Sequence, residues 1–331
     1  MNEVDHSIII SAFNEEDFID NSLPSLEKSI IDLDYVEVIL INNGSSDHTK
    51  SKIESFLSKL NLERRSVYSF FSIKHLGLSE ARNFGIKKSK GKYLTFLDAD
   101  AIIDNDCIVE INAAFKKYNP DFISGNVKLL YNNKIGSYFL YKMHYDVLVL
   151  NKKSRFIEGK ENTAIIGANM SFKKNVLKNG FFNEIKGRGD DTFLSYFLKI
   201  DNGFKEYYLE ESVVYNDNTS SIIIWFKQQF YGGKLNGLIF RNFEANFILK
   251  KTFYIIYLFS AITLFFTYKI FVLLITVRFL FRLKFLFKSF LNVLKSKVWF
   301  LAPLTIVLNF ISIALNDLGL FYGFVISKKI K

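Results

Sequence analysis

Short apolar runs alternate with helical repeats over the first hundred residues. Ser7–Ala12 (SIIISA) has the continuity of a buried strand, and Glu15–Ile30 sets Phe18, Ile19, Leu23, Leu26 and Ile30 along one side of a helix. Val36–Ile41 predicts a second strand and Ser46–Leu60 a second helix. Ser69–Ile73 reads as a third strand, Ser79–Ser89 as a helix and Tyr93–Leu97 as a fourth strand. Strands that are apolar on both faces must be covered on both, and helical crossovers join parallel neighbours. The alternation therefore predicts an α/β domain with a mostly parallel central sheet. Further on, the pattern predicts a helix at Asp106–Tyr118, strands near Phe122–Leu130 and Thr163–Phe172, and a helix starting at about Asp191.

After residue 220 the pattern changes. Residues 221–250 open with an apolar, aromatic stretch dotted with Lys, Gln and Gly, which suits a helix lying at a membrane surface. Phe253–Val277 holds one charge, Lys269, and Val298–Ile326 is apolar except for Asn309, Asn316 and Asp317; each is long enough to span a bilayer. The expected organisation is a catalytic α/β domain at 1–220, an amphipathic connection at 221–250 and membrane helices within 251–331. The basic stretch 278–297 between the two apolar segments leaves the number of crossings open under the positive-inside rule. The aromatic runs Tyr138–Tyr145 and Trp225–Tyr231 fit either a bilayer interface, an acceptor platform or plain core packing.

Charge narrows the partners. The net charge is +10, yet 49% of residues are hydrophobic. From Lys250 onward the only acid is Asp317, so the cationic excess sits among apolar runs and points to lipid headgroups rather than nucleic acid. The single cysteine, Cys107, rules out an internal disulfide and reads as a small buried hydrophobe. The first residues carry no basic segment ahead of a secretory apolar run, so the catalytic domain is expected in the cytoplasm, held at the membrane.

Chemistry concentrates where the strands end. Asn14-Glu15-Glu16 follows the first strand, Asn42 to Asp47 follows the second, and Asp98-Ala99-Asp100 follows the fourth. Parallel sheets bind ligands beyond the carboxyl ends of their strands. Two carboxylates one residue apart suit a hard divalent ion, Mg²⁺ or Mn²⁺, that also takes phosphate oxygens. Aspartates at such places also serve as plain turns or caps.

The segments SIIISAFNEEDFIDNSLPSL, VILINNGSSDHT, GLSEARNFGIKKSKGKYLTFLDAD and GANMSFKKNVLKNGFFNEIKGRGDDTFLSYFL together resemble family 2 glycosyltransferases of the GT-A fold, over about residues 5–240. The resemblance implies transfer of a sugar from a nucleotide-sugar donor, with inversion, in a metal-dependent reaction. It places Ala12, Phe13, Asn14, Glu15, Asn42, Asn43 and Asp47 at the base and ribose. It puts Arg82 close to the donor, where a guanidinium suits the diphosphate or a carboxylate supporting it, and Asp98 and Asp100 at the metal and donor. The family often has Asp where this chain has Asn42 and Asn43, and an amide donates as well as accepts.

Asp190-Asp191 match the family's second acidic pair, which implies Asp191 as the base for the acceptor hydroxyl and Asp190 as its rival. Gly187 and Gly189 would keep that loop open. Where many members carry a metal-completing histidine, this chain has Asn216 and Asp217, so Asn216 is the expected third metal ligand. His6, His48, His75 and His144 are read as surface or packing residues, and Asn169 as facing the acceptor. The hydrophobic tail resembles that of membrane-bound members, which implies a lipid-linked or cell-surface glycan acceptor. A transferase using another nucleotide-activated donor, or an inactive GT-A-fold membrane scaffold, fits the same residues.

Overall fold

The computed structural model describes residues 4–130, 135–140, 142–143, 153–157, 166–181, 190–216, 222–243, 283, 285–296 and 298–322. The apolar segment 253–277, Gly187, Gly189, His144 and Asp217 lie outside the described residues. The chain divides into two compact units. One comprises Met1–Tyr131 with Asn151–Asp217, the other Asn132–Leu150 with Asn218–Lys331.

In the first unit the elements run β1 (His6–Ala12), α1 (Ile19–Ile30), β2 (Val36–Asn43), α2 (Thr49–Ser58), α3 (Leu62–Val67), β3 (Tyr68–Ile73), α4 (Leu78–Lys88), β4 (Tyr93–Asp98), β5 (Ile102–Ile103), α5 (Cys107–Tyr118) and β6 (Phe122–Leu129). After α6 (Ile135–Leu140), which belongs to the second unit, come β7 (Arg155–Ile157), β8 (Asn169–Lys173), α7 (Asp190–Tyr196) and β9 (Glu206–Asn216). The sheet order is β3-β2-β1-β4-β8-β6-β9-β5, with β7 also on β9.

The expectation of a mostly parallel sheet needs correcting. The pairs β1–β2, β1–β4, β2–β3 and β6–β9 are parallel, but β4–β8, β6–β8, β5–β9 and β7–β9 are antiparallel. The reason is physical: an apolar run reports burial, and β8 is buried whichever way it points. Only the first half of the sheet, β3-β2-β1-β4, is the parallel crossover array that the alternation describes.

Alternate residues of each strand serve opposite faces. Ile8 and Ile10 pack with Leu23, Leu26, Ile30, Ile53, Ile111 and Phe115 on one side. Ile9 packs with Ile39, Phe96, Phe172, Phe181 and Leu194 on the other. A polar chain crosses three strands inside this core: His6 Nε2 lies 2.6 Å from Thr95 Oγ1, which lies 2.7 Å from Ser171 Oγ. Burial drives the His6 imidazole down to about 3, so it is neutral there.

The second unit contains α6, α8 (Ile222–Phe243), α9 (Phe285–Leu294) and α10 (Ala302–Phe321). Phe139, Leu140, Met143, Trp225, Val293 and Leu308 form its core, so Phe139 and Trp225 of the two aromatic runs are packing residues. Among the described residues one helical stretch, Trp299–Leu320, is long and apolar enough to cross a membrane.

Candidate active site

Parallel pairing in register brings three loops to one rim. Ala12 lies opposite Asn42 and Ser11 opposite Asp98, so β1, β2 and β4 end side by side. Asn14-Glu15, Asn43 to Asp47 and Asp98 to Asp100 therefore leave the same edge of the sheet.

The first two loops are laced together. The Asn14 N–H donates to Ser45 Oγ at 3.0 Å, and Asn14 Oδ1 accepts from the Ser46 N–H at 2.9 Å. Asn14 holds a left-handed φ of 57°, a conformation that asparagine tolerates better than most residues. The Glu15 N–H donates to Thr49 Oγ1 at 2.7 Å. Asp47 accepts from the N–H groups of Glu16 (3.2 Å) and Thr49 (3.0 Å). Glu15 is half-buried; burial, with Asp100, Asp98 and Asp47 around it, pushes its carboxyl up to about 8.

The asparagine pair that ends β2 is engaged in loop construction. Asn42 donates to Ser72 Oγ at 3.0 Å and accepts from the Ser45 N–H at 3.3 Å. Asn43 Oδ1 accepts from the Leu76 N–H at 3.0 Å and Nδ2 donates to the Gly77 carbonyl at 3.2 Å. Its own carbonyl lies 3.1 Å from His75 Nδ1. Gly44 sits at φ +72°, and a Cβ there would stand 2.5 Å from the His75 nitrogen, so only glycine lets the loops approach this closely. The result is an aromatic ledge that sequence reasoning missed. Phe13 is 42% exposed, and its ring lies against the His75 ring at 4.1 Å, tilted by 33°. The only advance signal was a histidine two residues ahead of Gly77 in KHLGLSEARN.

Arg82, on the buried side of α4, connects the acidic groups. Its Nη1 donates to Asp190 Oδ2 at 2.9 Å, and its Nη2 donates to Asp98 Oδ1 at 3.3 Å and to the Gly167 carbonyl at 3.4 Å. Ser79, one turn earlier, also donates to Asp190 at 3.1 Å. Burial opposes the guanidinium charge, yet Asp190, Asp98 and Asp191 together hold its pKa above the ordinary value. The neighbouring Asn83 clamps the Phe181 backbone with bonds of 2.9 and 2.7 Å, and the Phe181 ring lies 5.3 Å from the Arg82 carbon.

The two aspartates of the second acidic pair differ sharply. Asp190 is buried and committed to Arg82 and Ser79. Asp191 is half-buried and accepts N–H bonds from Gly167 and Thr192, both at 2.6 Å. Burial first, and then the Asp190 charge, lifts its carboxyl to about 6 against the pull of Arg82. A Cβ on Gly167 would meet Arg82 Nη2 at 2.9 Å and Asp191 Oδ2 at 3.1 Å, so the missing side chain makes room for both.

Asn216, at the end of β9, donates to Asp100 Oδ1 at 2.9 Å. Among the described residues no three His, Cys, Asp or Glu side chains form a metal-holding group by themselves. Asp98, Asp100 and the Asn216 oxygen are nevertheless hard donors of the kind Mg²⁺ takes when substrate phosphates supply the rest. Asn169 is corrected. It is fully buried and bonds to the Asn126 and Ser212 carbonyls and the Ser212 hydroxyl, so it holds β8 to its neighbours and faces no acceptor.

A parallel half-sheet with an acidic rim, closed by antiparallel strands, defines a GT-A glycosyltransferase fold. Solved structures agree: the mannosyltransferase PcManGT of Pyrobaculum calidifontis, in complex with GDP-Man and Mn²⁺, matches with TM-score 0.61 at 13% identity, over 96% of this chain and 88% of that one. Residues 1–349 of S. aureus TarS in complex with UDP match with TM-score 0.52 at 16% identity, over 96% and 90%. The sequence profile of glycosyl transferase family 2 matches residues 7–181, and the chain belongs to that family. In sequence it is 30% identical over 177 residues to the poly-β-1,6-N-acetyl-D-glucosamine synthase of Staphylococcus epidermidis, covering 52% of this chain and 40% of that protein. It is 25% identical over 190 residues to the poly(ribitol-phosphate) β-N-acetylglucosaminyltransferase TarS of Staphylococcus aureus, covering 56% and 31%. The chain thus spans less than half the length of these two relatives.

Proposed function

We propose that the chain transfers a sugar, with inversion, from a nucleotide-sugar to a glycan or lipid-linked acceptor at the cytosolic face of a membrane. The observation that carries this reading is Arg82, which joins the Asp98 rim to the buried Asp190 beside the half-buried Asp191. The donor end and the acceptor end of an in-line displacement would then be held by one rigid cation. A nucleoside diphosphate donor is supported by the UDP and GDP-Man bound in the structural neighbours. A glycan acceptor is supported by the polymers named for the relatives.

In this reading Phe13, steadied by His75, offers a face on which a nucleobase stacks. Asn14 and Asp47 hold the surrounding loops in shape, while Asn42 and Asn43 fix the turn. Asp98, Asp100 and Asn216 would hold Mg²⁺ or Mn²⁺, which when bound neutralises charge on the diphosphate. Arg82 keeps Asp98 oriented. Asp191 takes the proton of the attacking acceptor hydroxyl: its carboxylate retains lone-pair capacity beyond the bonds to Gly167 and Thr192, and a value near 6 leaves it ionised at neutral pH. Asp190 holds Arg82 and takes no proton.

The test is release of nucleoside diphosphate from a panel of nucleotide-sugars, with and without Mn²⁺, by the native chain and by Asp100→Ala and Asp191→Asn. Metal-stimulated turnover that both substitutions lower by at least about a hundredfold is expected. Turnover that ignores the metal and survives both sinks the mechanism, and no turnover with any donor favours a scaffold.

A further inference from the structure

In the second unit, whose core is apolar, α10 carries an exposed apolar stripe and a partly polar inner face. Along α10 the side chains turned outward are apolar: Leu304, Ile306, Val307, Ile311 and Leu318 are each at least 38% exposed. Turned inward, with Leu308 and Leu320, are Thr305, Asn309 and Ser312, all buried. Asn309 donates to Ser289 on α9 at 3.1 Å, and Ser289 donates to the Met143 carbonyl at 2.5 Å. Asn292 of α9 donates to the Lys142 carbonyl at 2.6 Å. In water, folding drives apolar surface inward; here a continuous apolar stripe stays outside while three polar side chains are satisfied inside, which matches a surround of hydrocarbon.

The seam between α8 and α10 supports the same surround. A Cβ on Gly233 would lie 1.9 Å from the Asn316 carbonyl oxygen, and one on Gly319 would lie 1.9 Å from that of Phe230. Asn316 also donates to the Gln229 carbonyl at 3.2 Å. Glycines that let backbones touch, with an amide bonding across the seam, are how helices associate where no hydrophobic force drives them together.

Length and charge identify the occupant. Trp299–Leu320 is 22 residues, roughly 33 Å at about 1.5 Å per residue, close to the ~30 Å of a bilayer's hydrocarbon. Asp317 is its only charge. On α9, Phe287 is 64% exposed beside the exposed Lys288, and Lys295 is exposed just beyond its end. Trp299 and Phe300 are exposed ahead of α10. Lysine and tryptophan flanking an apolar stripe suit an anionic headgroup boundary. A second copy of the chain would cover the stripe but would not explain the polar side chains turned inward.

We infer that α10 faces lipid acyl chains through Leu304, Val307, Ile311 and Leu318, sealed on α8 at Gly233 and Gly319, with α9 at the headgroup boundary. This rests on the membrane attachment proposed above and names the side chains that carry it. The chain has two tryptophans, Trp225 buried and Trp299 exposed, so the native protein reports directly. The full chain is bound to phosphatidylcholine–phosphatidylglycerol vesicles whose acyl chains carry bromine, and tryptophan emission is read. Quenching of an exposed component is expected, and Val307→Asp with Ile311→Asp should lower the vesicle-bound fraction at least about tenfold. Vesicle binding without quenching, or unchanged in the double variant, overturns the stripe while leaving attachment intact. A chain that stays in solution as a dimer overturns both. Nucleoside diphosphate release, measured on the same samples, reports separately on the catalytic reading.

Discussion

Arg82 donates to Asp190 across 2.9 Å, and both side chains are about 95% hidden from solvent. A buried pair of this kind is costly to break from one side, because the remaining charge has neither water nor partner. Arg82→Ala is therefore expected to destabilise the fold by about 3–5 kcal/mol, read as a lower midpoint in denaturant. Arg82→Lys should recover part of that stability but little activity, since a point charge lacks the planar fork that reaches Asp190 and Asp98 together. Equal activity in the lysine variant would contradict the bridging role.

The neighbouring aspartates should separate cleanly on substitution. Asp191→Asn is expected to lower kcat by about 10²–10⁴-fold with little change in donor KM or stability, the loss typical of a missing general base. Asp190→Asn should chiefly lower the unfolding midpoint, because it removes the charge that compensates Arg82. Steady-state kinetics and denaturant titration of the two variants side by side decide it; a reversed pattern would exchange their roles.

The pH dependence of transfer follows from Asp191. Its carboxyl is raised to about 6, and a base works only when deprotonated. Below that value the rate should fall about tenfold per pH unit, and above it the rate should level off. The profile is measured as initial rate under saturating donor, with the Asp191→Asn residual activity expected to lack the same step.

His6 gives a stability prediction of the opposite kind. Its folded value, about 3, lies below the 6.5 of an ordinary histidine. Between those two pH values the unfolded chain binds the extra proton, so stability is lost as pH falls through 6.5 and the loss continues towards 3. From pH 7 to pH 5 this group should cost about 2 kcal/mol, given ~1.4 kcal/mol per unit. Urea unfolding of the native chain and His6→Gln at both pH values checks it: the variant should lose less over that interval.

The first half of the domain was legible because its signals are local. Strands β1, β2, β3 and β4, and helices α1, α2 and α4, announce themselves by runs and repeats a few residues long, and polar segments at three strand ends follow from that spacing. The short β5 and β7 carry too few residues for a periodicity, and nothing local announced β9. The direction of β8 was beyond reach, since burial carries no sign of orientation. His75 escaped notice because its value lies in a ring contact with Phe13, 62 residues away in the chain.

What the sequence determined by itself is the alternation, the acidic strand ends and the apolar, cation-flanked tail, all set by residue type within one turn or one strand. What only the tertiary structure decided is partnership. Arg82 meets Asp190 across 108 residues, Asn42 and Asn43 turn out to brace loops, and Thr305, Asn309 and Ser312 turn inward while Val307 and Ile311 turn out. Such pairings depend on how distant elements close against one another, and no short window of residues encodes that closure.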